Sequence, residues 1–203
     1  PSGIYKKMLD NNVINEPIED SVYIIKSGTT EKTLVEWHKY NYYQPDTSKE
    51  SLIRLQYVDE YDRKESAWVR TAIFVHDKNG RVLEQTDRNG IKTSYIWGYN
   101  GLYIVAKVEN CGLNQVKNIS GLANIETASL PAGISDYESA LRNIPEAEVT
   151  TLEYYPFVGL KKVTDPSGKV MMYDYNATGK LRTVVDDENN LFNKYYYSTD
   201  DKN

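Results

Sequence analysis

The chain has 203 residues and one cysteine, so it is long enough for a hydrophobic core of its own but offers no internal disulfide. Its net charge is −5 at pH 7, and acidic and basic residues are intermixed along the whole length, which leaves no basic face for a nucleic acid. No apolar run approaches the roughly 18 residues that a membrane-spanning helix needs. The composition therefore favours a single domain without nucleic acid among its partners.

Tyrosine is the over-represented residue, with 18 copies against 3 phenylalanines and 3 tryptophans. A tyrosine ring packs while its hydroxyl stays hydrogen-bonded or hydrated. This bias favours sheets with one packed face and one face near water over a helical bundle.

In the first half of the chain, β-branched and alternating residues predict strands, after a partly ordered lead-in over residues 1–20. A charged stretch at 59–66 is expected to be a solvated loop. The predicted strands cover residues 22–25, 33–43, 53–57, 68–75, 82–86, 92–97 and 103–109.

Three Asn-Gly pairs separate the later strands of this half, at residues 79–80, 89–90 and 100–101. Asn and Gly tolerate the positive φ that both central residues of a type I′ turn require. Each pair therefore predicts a β-hairpin with such a turn.

An irregular segment at residues 111–148 interrupts the strands. Its hydrophobic residues lack a period, and Ser135 with Glu138 three residues later forms a capping-box pattern that predicts a short helix near 135–143. We interpret the segment as an insertion that is mobile at its start. It divides one continuous structural domain into an N-terminal block, 1–110, and a C-terminal block, 149–203.

The C-terminal block holds a repeated pattern: an Asp, a Gly or Asn three residues later, and aromatic residues eight and ten residues after the Asp. Strands are predicted at 150–155, 160–164, 170–175, 181–185 and 193–197. The copies begin at Asp165 and Asp187, and an earlier one begins at Asp87. The repeat turn positions, spaced by about ten residues, leave room for one strand between turns; they are Gly80, Gly90, Gly101, Gly168, Gly179 and Asn190.

This pattern resembles the YD-repeat, or Rhs-repeat, family, whose unit reads Tyr-Asp, two residues, Gly-Arg-Leu, a few more residues, Thr-Asp, two residues, Gly and Tyr-x-Tyr. The match covers residues 74–109 and 149–197, and two runs within it resemble the subgroup found in large secreted Bacteroidetes proteins. His76, Asn176, Lys180 and Asn190 depart from the family unit.

The resemblance implies an all-β fold of consecutive antiparallel β-hairpins that form a twisted, curved sheet. It further implies a non-catalytic scaffold segment of a secreted or cell-surface protein, whose shell encloses or displays a variable C-terminal region, often a toxin. We interpret the chain as a piece of that longer protein, so its main partner is the remainder of its own polypeptide. Unpaired strand edges also predict self-association.

Catalytic, cofactor-binding and metal-binding patterns are not evident in the sequence. His38 and His76 lack a second ligand at a metal spacing. Asp165-Pro166-Ser167-Gly168 resembles the first part of a self-cleavage motif that ends in Leu, but Lys169 follows here, and Pro and Gly at these positions are typical of a turn.

The aromatic residues have two interpretations. Tyrosines at fixed offsets stack on equivalent residues of the next unit and hold the sheet in register. The alternative is a cell-surface carbohydrate-binding module, for which the candidate glycan-stacking residues are Tyr40, Tyr42, Tyr95, Trp97, Tyr173 and Tyr175.

Overall fold

The computed structural model describes residues 3–49 and 52–197. The chain forms two compact units, one up to Thr93 and the other from Ser94. The predicted block boundaries at 110/111 and 148/149 stay predictions. Residues 1–2, 50–51 and 198–203 of those blocks lie outside the described residues.

Within residues 3–49 and 52–93, the first unit contains one helix, five strands and the start of a sixth. These are α1 (Ile4–Asp10), β1 (Glu19–Ile25), β2 (Lys32–Tyr43), β3 (Arg54–Asp62), β4 (Ala67–His76), β5 (Val82–Asp87) and β6 (Lys92–Gly98), which continues into the second unit.

Between residues 94 and 197, the second unit contains the rest of β6, six further strands and two short helices. After β6 come a 3-10 turn (Tyr99–Gly101), β7 (Tyr103–Glu109), α2 (Leu113–Lys117), α3 (Glu138–Arg142), β8 (Glu148–Tyr155), β9 (Gly159–Thr164), β10 (Val170–Tyr175), β11 (Leu181–Asp186) and β12 (Leu191–Lys194).

Strand order follows chain order within each unit, and successive strands run antiparallel. The predicted all-β class of consecutive hairpins is therefore confirmed. One-residue register shifts lie beside several turns, for example between Val75 and His76 and between Asp174 and Tyr175. Such bulges accommodate the extra residue of a three-residue hairpin loop.

The partly ordered lead-in predicted over residues 1–20 contains helix α1. Two strand predictions outside the insertion differ from the structure. Residues 59–62 of the predicted loop belong to β3, where Asp59 pairs with Arg70 at 3.0 Å and Tyr61 lies opposite Trp68, and residues 63–66 form the turn. The final strand begins at Leu191, two residues earlier than predicted.

The predicted Ser135 helix cap is absent. Helix α3 begins at Glu138 after Tyr137 and has no side-chain cap. The Glu138 carboxylate instead accepts hydrogen bonds from Arg142 at 3.0 Å and from the Thr151 hydroxyl at 3.2 Å, so it ties the helix to β8.

The insertion is a packed part of the second unit, contrary to the predicted mobile start. Cys111 is fully buried, its carbonyl accepts the Ser94 hydroxyl at 2.8 Å, and the backbone N–H of Leu130 donates to the Trp97 carbonyl at 2.9 Å. The largest buried side chains from the insertion and from β6–β8 form the core of this unit: Ile96, Val105, Val108, Val116, Leu122, Ile134, Leu141 and Val149. The first unit has a smaller core of Met8, Tyr42 and Ile53.

Candidate functional site

Five hairpin turns share one hydrogen-bond pattern. The first residue donates its backbone N–H to the carbonyl four residues later at 2.9–3.1 Å and accepts at its own carbonyl the N–H three residues later. Its side-chain Oδ1 accepts further backbone N–H groups of the loop. An Asp or Asn therefore closes each loop. The five first residues are Asp77, Asp87, Asp165, Asn176 and Asp186.

The fourth residue of each turn has positive φ. In four turns it is a predicted glycine: Gly80 at 79°, Gly90 at 82°, Gly168 at 87° and Gly179 at 77°.

Two of the three Asn-Gly turns differ from the predicted type I′, whereas Asn100 and Gly101 both have the positive φ that this type requires, at 57° and 86°. Asn79 and Asn89 are not among the residues with positive φ, so the loops at 77–81 and 87–91 are three-residue hairpins closed by a glycine bulge.

The other two predicted turn positions, Asn190 and Gly101, have surroundings unlike those of the four glycines. In the last turn the left-handed residue is Asn189, at φ 65°, and Asn190 follows it and donates from Nδ2 to Asp186 Oδ2 at 2.9 Å. Gly101 has φ 86° but closes a 3-10 turn, where the N–H of Asn100 donates to the Leu130 carbonyl of the insertion at 3.0 Å. The repeat spacing in the sequence placed the first residue of the last turn at Asp187, whereas the hydrogen bonds place it at the adjacent Asp186.

The carboxylates that close these turns differ in environment. At the surface, a hydrogen bond from Ser167 lowers the pKa of Asp165, and one from Asn190 lowers the pKa of Asp186. Asp77 is different, since its side chain is 1% exposed and its Oδ2 lies 2.5 Å from Nη2 of Arg81. The turn at 77–81 is therefore an ion-paired, buried version of the surface turns.

The Asp165–Gly168 stretch is one of these five turns. Its carboxylate accepts the Ser167 hydroxyl at 2.6 Å and the Lys169 N–H at 2.9 Å. Arg142 on α3 donates to the carbonyls of Asp165 at 3.1 Å and Pro166 at 3.4 Å. These contacts anchor the insertion to the turn, which supports the turn interpretation of the sequence.

The predicted glycan-stacking residues lie in both units, and three of them use their hydroxyls within the protein. The Tyr40 hydroxyl donates to Asp20 at 2.8 Å, that of Tyr42 to the Pro17 carbonyl at 2.6 Å, and that of Tyr175 to the Leu160 carbonyl at 2.9 Å. Tyr42 is only 7% exposed, and burial raises its pKa to about 12.

The other three predicted stacking residues are half-buried in the second unit. Tyr95 and Trp97 lie on β6. Tyr173 lines an open groove of about 640 Å³ together with Met172 and Val185.

Sequence reasoning missed an aromatic cluster on β2, β3 and β4. The Trp37 ring lies 5.4 Å from Tyr61 and 4.8 Å from Trp68, and Tyr61 lies 5.4 Å from Trp68. The Lys39 ammonium lies 3.9 Å from the Trp68 ring, a cation–π contact. The Trp68 ring meets the other two edge to face, and the Trp37 and Tyr61 rings are tilted. Cross-strand aromatic pairs of this kind hold a sheet in register. The three rings come together because the strand register places Tyr61 opposite Trp68.

The two histidines have different surroundings. His38 Nδ1 lies 2.8 Å from Asp20 on the neighbouring strand. His76 contacts Tyr43 and is partly buried, and burial, followed by the charge of Arg54, lowers its pKa to about 4.

Neither a metal site nor a membrane helix is found in the described part of the chain. Within 3–49 and 52–197, the acidic, histidine and cysteine side chains form no cluster that could hold a metal ion. No helix in these ranges is long and apolar enough to cross a membrane.

Comparison with known proteins gives likeness only at the level of solved structures, since no family model and no curated protein matches. A crystal structure of TcdB2-TccC3 without its hypervariable C-terminal region aligns with TM-score 0.47 and 14% identity over 89% of this chain. The TcdB2-TccC3-Cdc42 structure gives 0.47 and 16%, and a Tc holotoxin pore of Photorhabdus luminescens gives 0.47 and 15%, both over 89%. The chain spans 9% of the length of the chains it matches. At this identity and TM-score, the likeness assigns neither a family nor an activity to this chain.

Proposed function

We propose that this chain is a non-catalytic structural segment of a YD-repeat, or Rhs-repeat, wall in a large secreted or cell-surface protein of the Bacteroidetes type. In this proposal the wall encloses or displays a variable C-terminal region, such as a toxin. The main support is the recurrence of one turn, closed by the same hydrogen bonds, at five places in the chain. A repeated supersecondary unit that buries its surface against its neighbours is typical of structural arrays.

The tyrosine hydroxyls also favour a wall over a glycan platform. A stacking platform requires open ring faces, whereas Tyr42 is buried, and the hydroxyls of Tyr40, Tyr42 and Tyr175 bond to the protein. Their hydrogen bonds tie neighbouring segments together, which is what a wall needs. The glycan-binding alternative predicts saturable binding on a glycan array, and the wall predicts none.

The strands at the two sheet edges fit a wall that continues beyond the chain. Among the described residues, β1 pairs only with β2, and β12 only with β11. Every residue of β1 is exposed, including Ile24 at 62% and Ile25 at 58%. An exposed apolar edge strand is a template for a further strand. We propose that neighbouring repeats of the same polypeptide cover these edges, and that the isolated chain self-associates through them.

Amide hydrogen exchange tests this proposal. The exchange of β1 and β12 is measured in the chain alone, at low concentration, and in the full parent polypeptide. We expect fast exchange in the isolated chain and protection of both strands in the parent, with little change in β5 as an internal reference. Equal exchange of β1 and β12 in both proteins would contradict the wall, and a concentration-independent monomer mass for the isolated chain would contradict the self-association.

A further inference from the structure

Six of the eight exposed large apolar side chains in the described part of the second unit lie at one end of its sheet, and the other two, Leu191 and Phe192, lie near the opposite end. Because successive strands alternate in direction, the turns after β6, β8 and β10 and the segment after β12 all lie at the end that holds the six. We define it as the aromatic rim: residues 99–102, 155–158, 176–180 and 195–197. Its exposed apolar side chains are Leu102 at 55%, Tyr155 at 43%, Phe157 at 86%, Val158 at 47%, Tyr195 at 41% and Tyr196 at 73%.

Contacts between these segments place them side by side. The N–H of Phe157 donates to the hydroxyl of Tyr103, the residue after Leu102, at 2.9 Å. A groove joins the second and third segments and is lined by Val158 and Ala177 among others. The hydroxyl of Tyr197 donates to the carbonyl of Leu181, which follows the third segment, at 3.0 Å. From β7 to β12 the row spans about 24 Å at the usual strand spacing.

Phe157 is held outward by its surroundings. Its φ is 63°, a left-handed conformation that bulky residues rarely adopt. The bond to Tyr103 holds it there, and the Tyr103 ring is itself stacked on Tyr154 at 4.4 Å. The backbone N–H groups of Phe157 and Val158 are both satisfied inside the protein, so entry of this tip into an apolar medium leaves neither donor unpaired.

Charge is separated between the two ends of this sheet. At the rim end, residues 153–162, 174–182 and 194–197 contain five cationic side chains and two carboxylates. At the other end, the turns 165–169 and 186–190 contain four carboxylates and one lysine. Lys180, in the rim, lies 5.1 Å from the Tyr197 ring, and Lys194, the residue before the last rim segment, lies 5.1 Å from the Tyr196 ring. Lys161 and Lys162 pair with Glu153, and Arg182 pairs with Asp174, so the strand residues that flank the rim, together with Lys180, carry five cations against two carboxylates, a net charge of +3, in a chain of net charge −5.

We propose that the aromatic rim binds the surface of an anionic lipid bilayer. Phe157, Val158 and Leu102 enter the boundary between headgroups and acyl chains, tyrosines lie at headgroup level, and the lysines meet lipid phosphates and carboxylates. Aromatic residues and lysines share this interfacial region in membrane proteins, and the combination of apolar burial with cationic charge selects anionic lipids. A nucleic acid offers the charge but no apolar medium for Leu102 and Val158, so a bilayer is the partner that matches both features.

Vesicle co-sedimentation of the complete chain tests the proposal. We expect binding to phosphatidylcholine vesicles with about 30% phosphatidylserine at about 0.1 M salt, and loss of binding at about 0.5 M salt. Phe157→Asp should weaken this binding about tenfold. The matched control is Leu191→Asp, the same charge change at a residue that is 57% exposed at the opposite end of the sheet, and it should retain binding.

A second variant keeps the test independent of folding defects. Phe157→Trp keeps a large apolar side chain at this position. The emission of the new tryptophan, obtained by subtracting the spectrum of the unmodified chain, should shift to the blue when anionic vesicles are added. No binding to anionic vesicles, equal binding to pure phosphatidylcholine, equal loss in both Asp variants or an unshifted emission would each overturn the proposal. Binding to heparin without binding to vesicles would do the same and would indicate a soluble polyanion instead.

Discussion

The hydroxyl of Tyr43 contacts His76 at two atoms, accepting its backbone N–H at 3.0 Å and lying 3.2 Å from ring Nδ1. A neutral imidazole can accept the phenolic proton at Nδ1 while the phenolic oxygen accepts the backbone N–H. Burial and the nearby Arg54 agree with this, because they lower the pKa of His76 from 6.5 to about 4.

This relationship predicts loss of stability on mild acidification. Between pH 6.5 and about 4 the unfolded chain binds a proton at His76 and the native chain does not, so the free energy of unfolding falls as the pH falls through this window. Because solvent reaches part of the ring, we expect a loss of about 1–2 kcal/mol. His76→Asn, which keeps an acceptor near Nδ1, should remove this slope. Urea unfolding at several pH values checks it, and parallel profiles for the two proteins would refute the assignment.

The surface turns predict a second, more acidic transition. The pKa values of Asp165 and Asp186 are lowered by hydrogen bonds, so their contribution to stability is present above the ordinary carboxyl pKa of 3.8 and is lost as the pH falls through the lower native values. The double variant Asp165→Asn/Asp186→Asn keeps the amide acceptors, as Asn176 does naturally. Thermal unfolding between about pH 2 and 5 should show a shallower acid loss in this variant; an unchanged slope would contradict the role of these carboxylates.

Replacement of Asp77 should cost far more than replacement at a surface turn. Asp77→Ala leaves the N–H groups of Asn79 and Arg81 without their acceptor and leaves the Arg81 guanidinium without its partner, for a loss of about 2–4 kcal/mol. Asp77→Asn keeps Oδ1 and should cost less. Asp165→Asn at pH 7 keeps an acceptor at an exposed turn and should cost much less than Asp77→Ala. Equal losses at positions 77 and 165 in urea unfolding would show that burial of the turn is irrelevant.

Gly98 is a position of close approach. A Cβ there would lie 2.6 Å from Cγ1 of Val105 and would overlap the carbonyl oxygen of Ala132. We therefore expect Gly98→Ala to destabilise the second unit by about 2–4 kcal/mol through overpacking. Gly168→Ala has free space around the new Cβ and a φ of 87°, so it should cost only about 1 kcal/mol.

A second substitution separates the causes at Gly98. Val105→Ala removes one of the two clashing groups, so the double variant should lose less than the sum of the two single losses. Additive losses would contradict the steric explanation.

The strands could be predicted from the sequence because they depend on neighbouring residues: a β-branched or alternating run, closed at β4, β5 and β9 by Asp, two residues and Gly. The turn type was missed because the Asn-Gly pair was given more weight than the Asp two residues before it, whose Oδ1 organises the loop at 77–81.

Features that depend on distant residues could not be predicted. Leu122, Ile134 and Leu141 follow no local period, yet all are buried in the core of the second unit. The contact of Trp37 with Tyr61 and Trp68 arises only when the register of three strands is known. Phe157 is exposed because of a hydrogen bond to Tyr103, 54 residues earlier in the chain.

Swapping two turn sequences is the most direct test that one structural unit is repeated along this chain. Residues 165–169, Asp-Pro-Ser-Gly-Lys, and residues 176–180, Asn-Ala-Thr-Gly-Lys, are swapped, and a control replaces both first residues and both glycines by alanine. If both segments are the same unit, the swapped chain should keep its circular dichroism spectrum and a melting temperature within about 4 °C of the original, while the control melts well below it. A swapped chain that melts as low as the control would contradict the repeat on which the proposed wall depends.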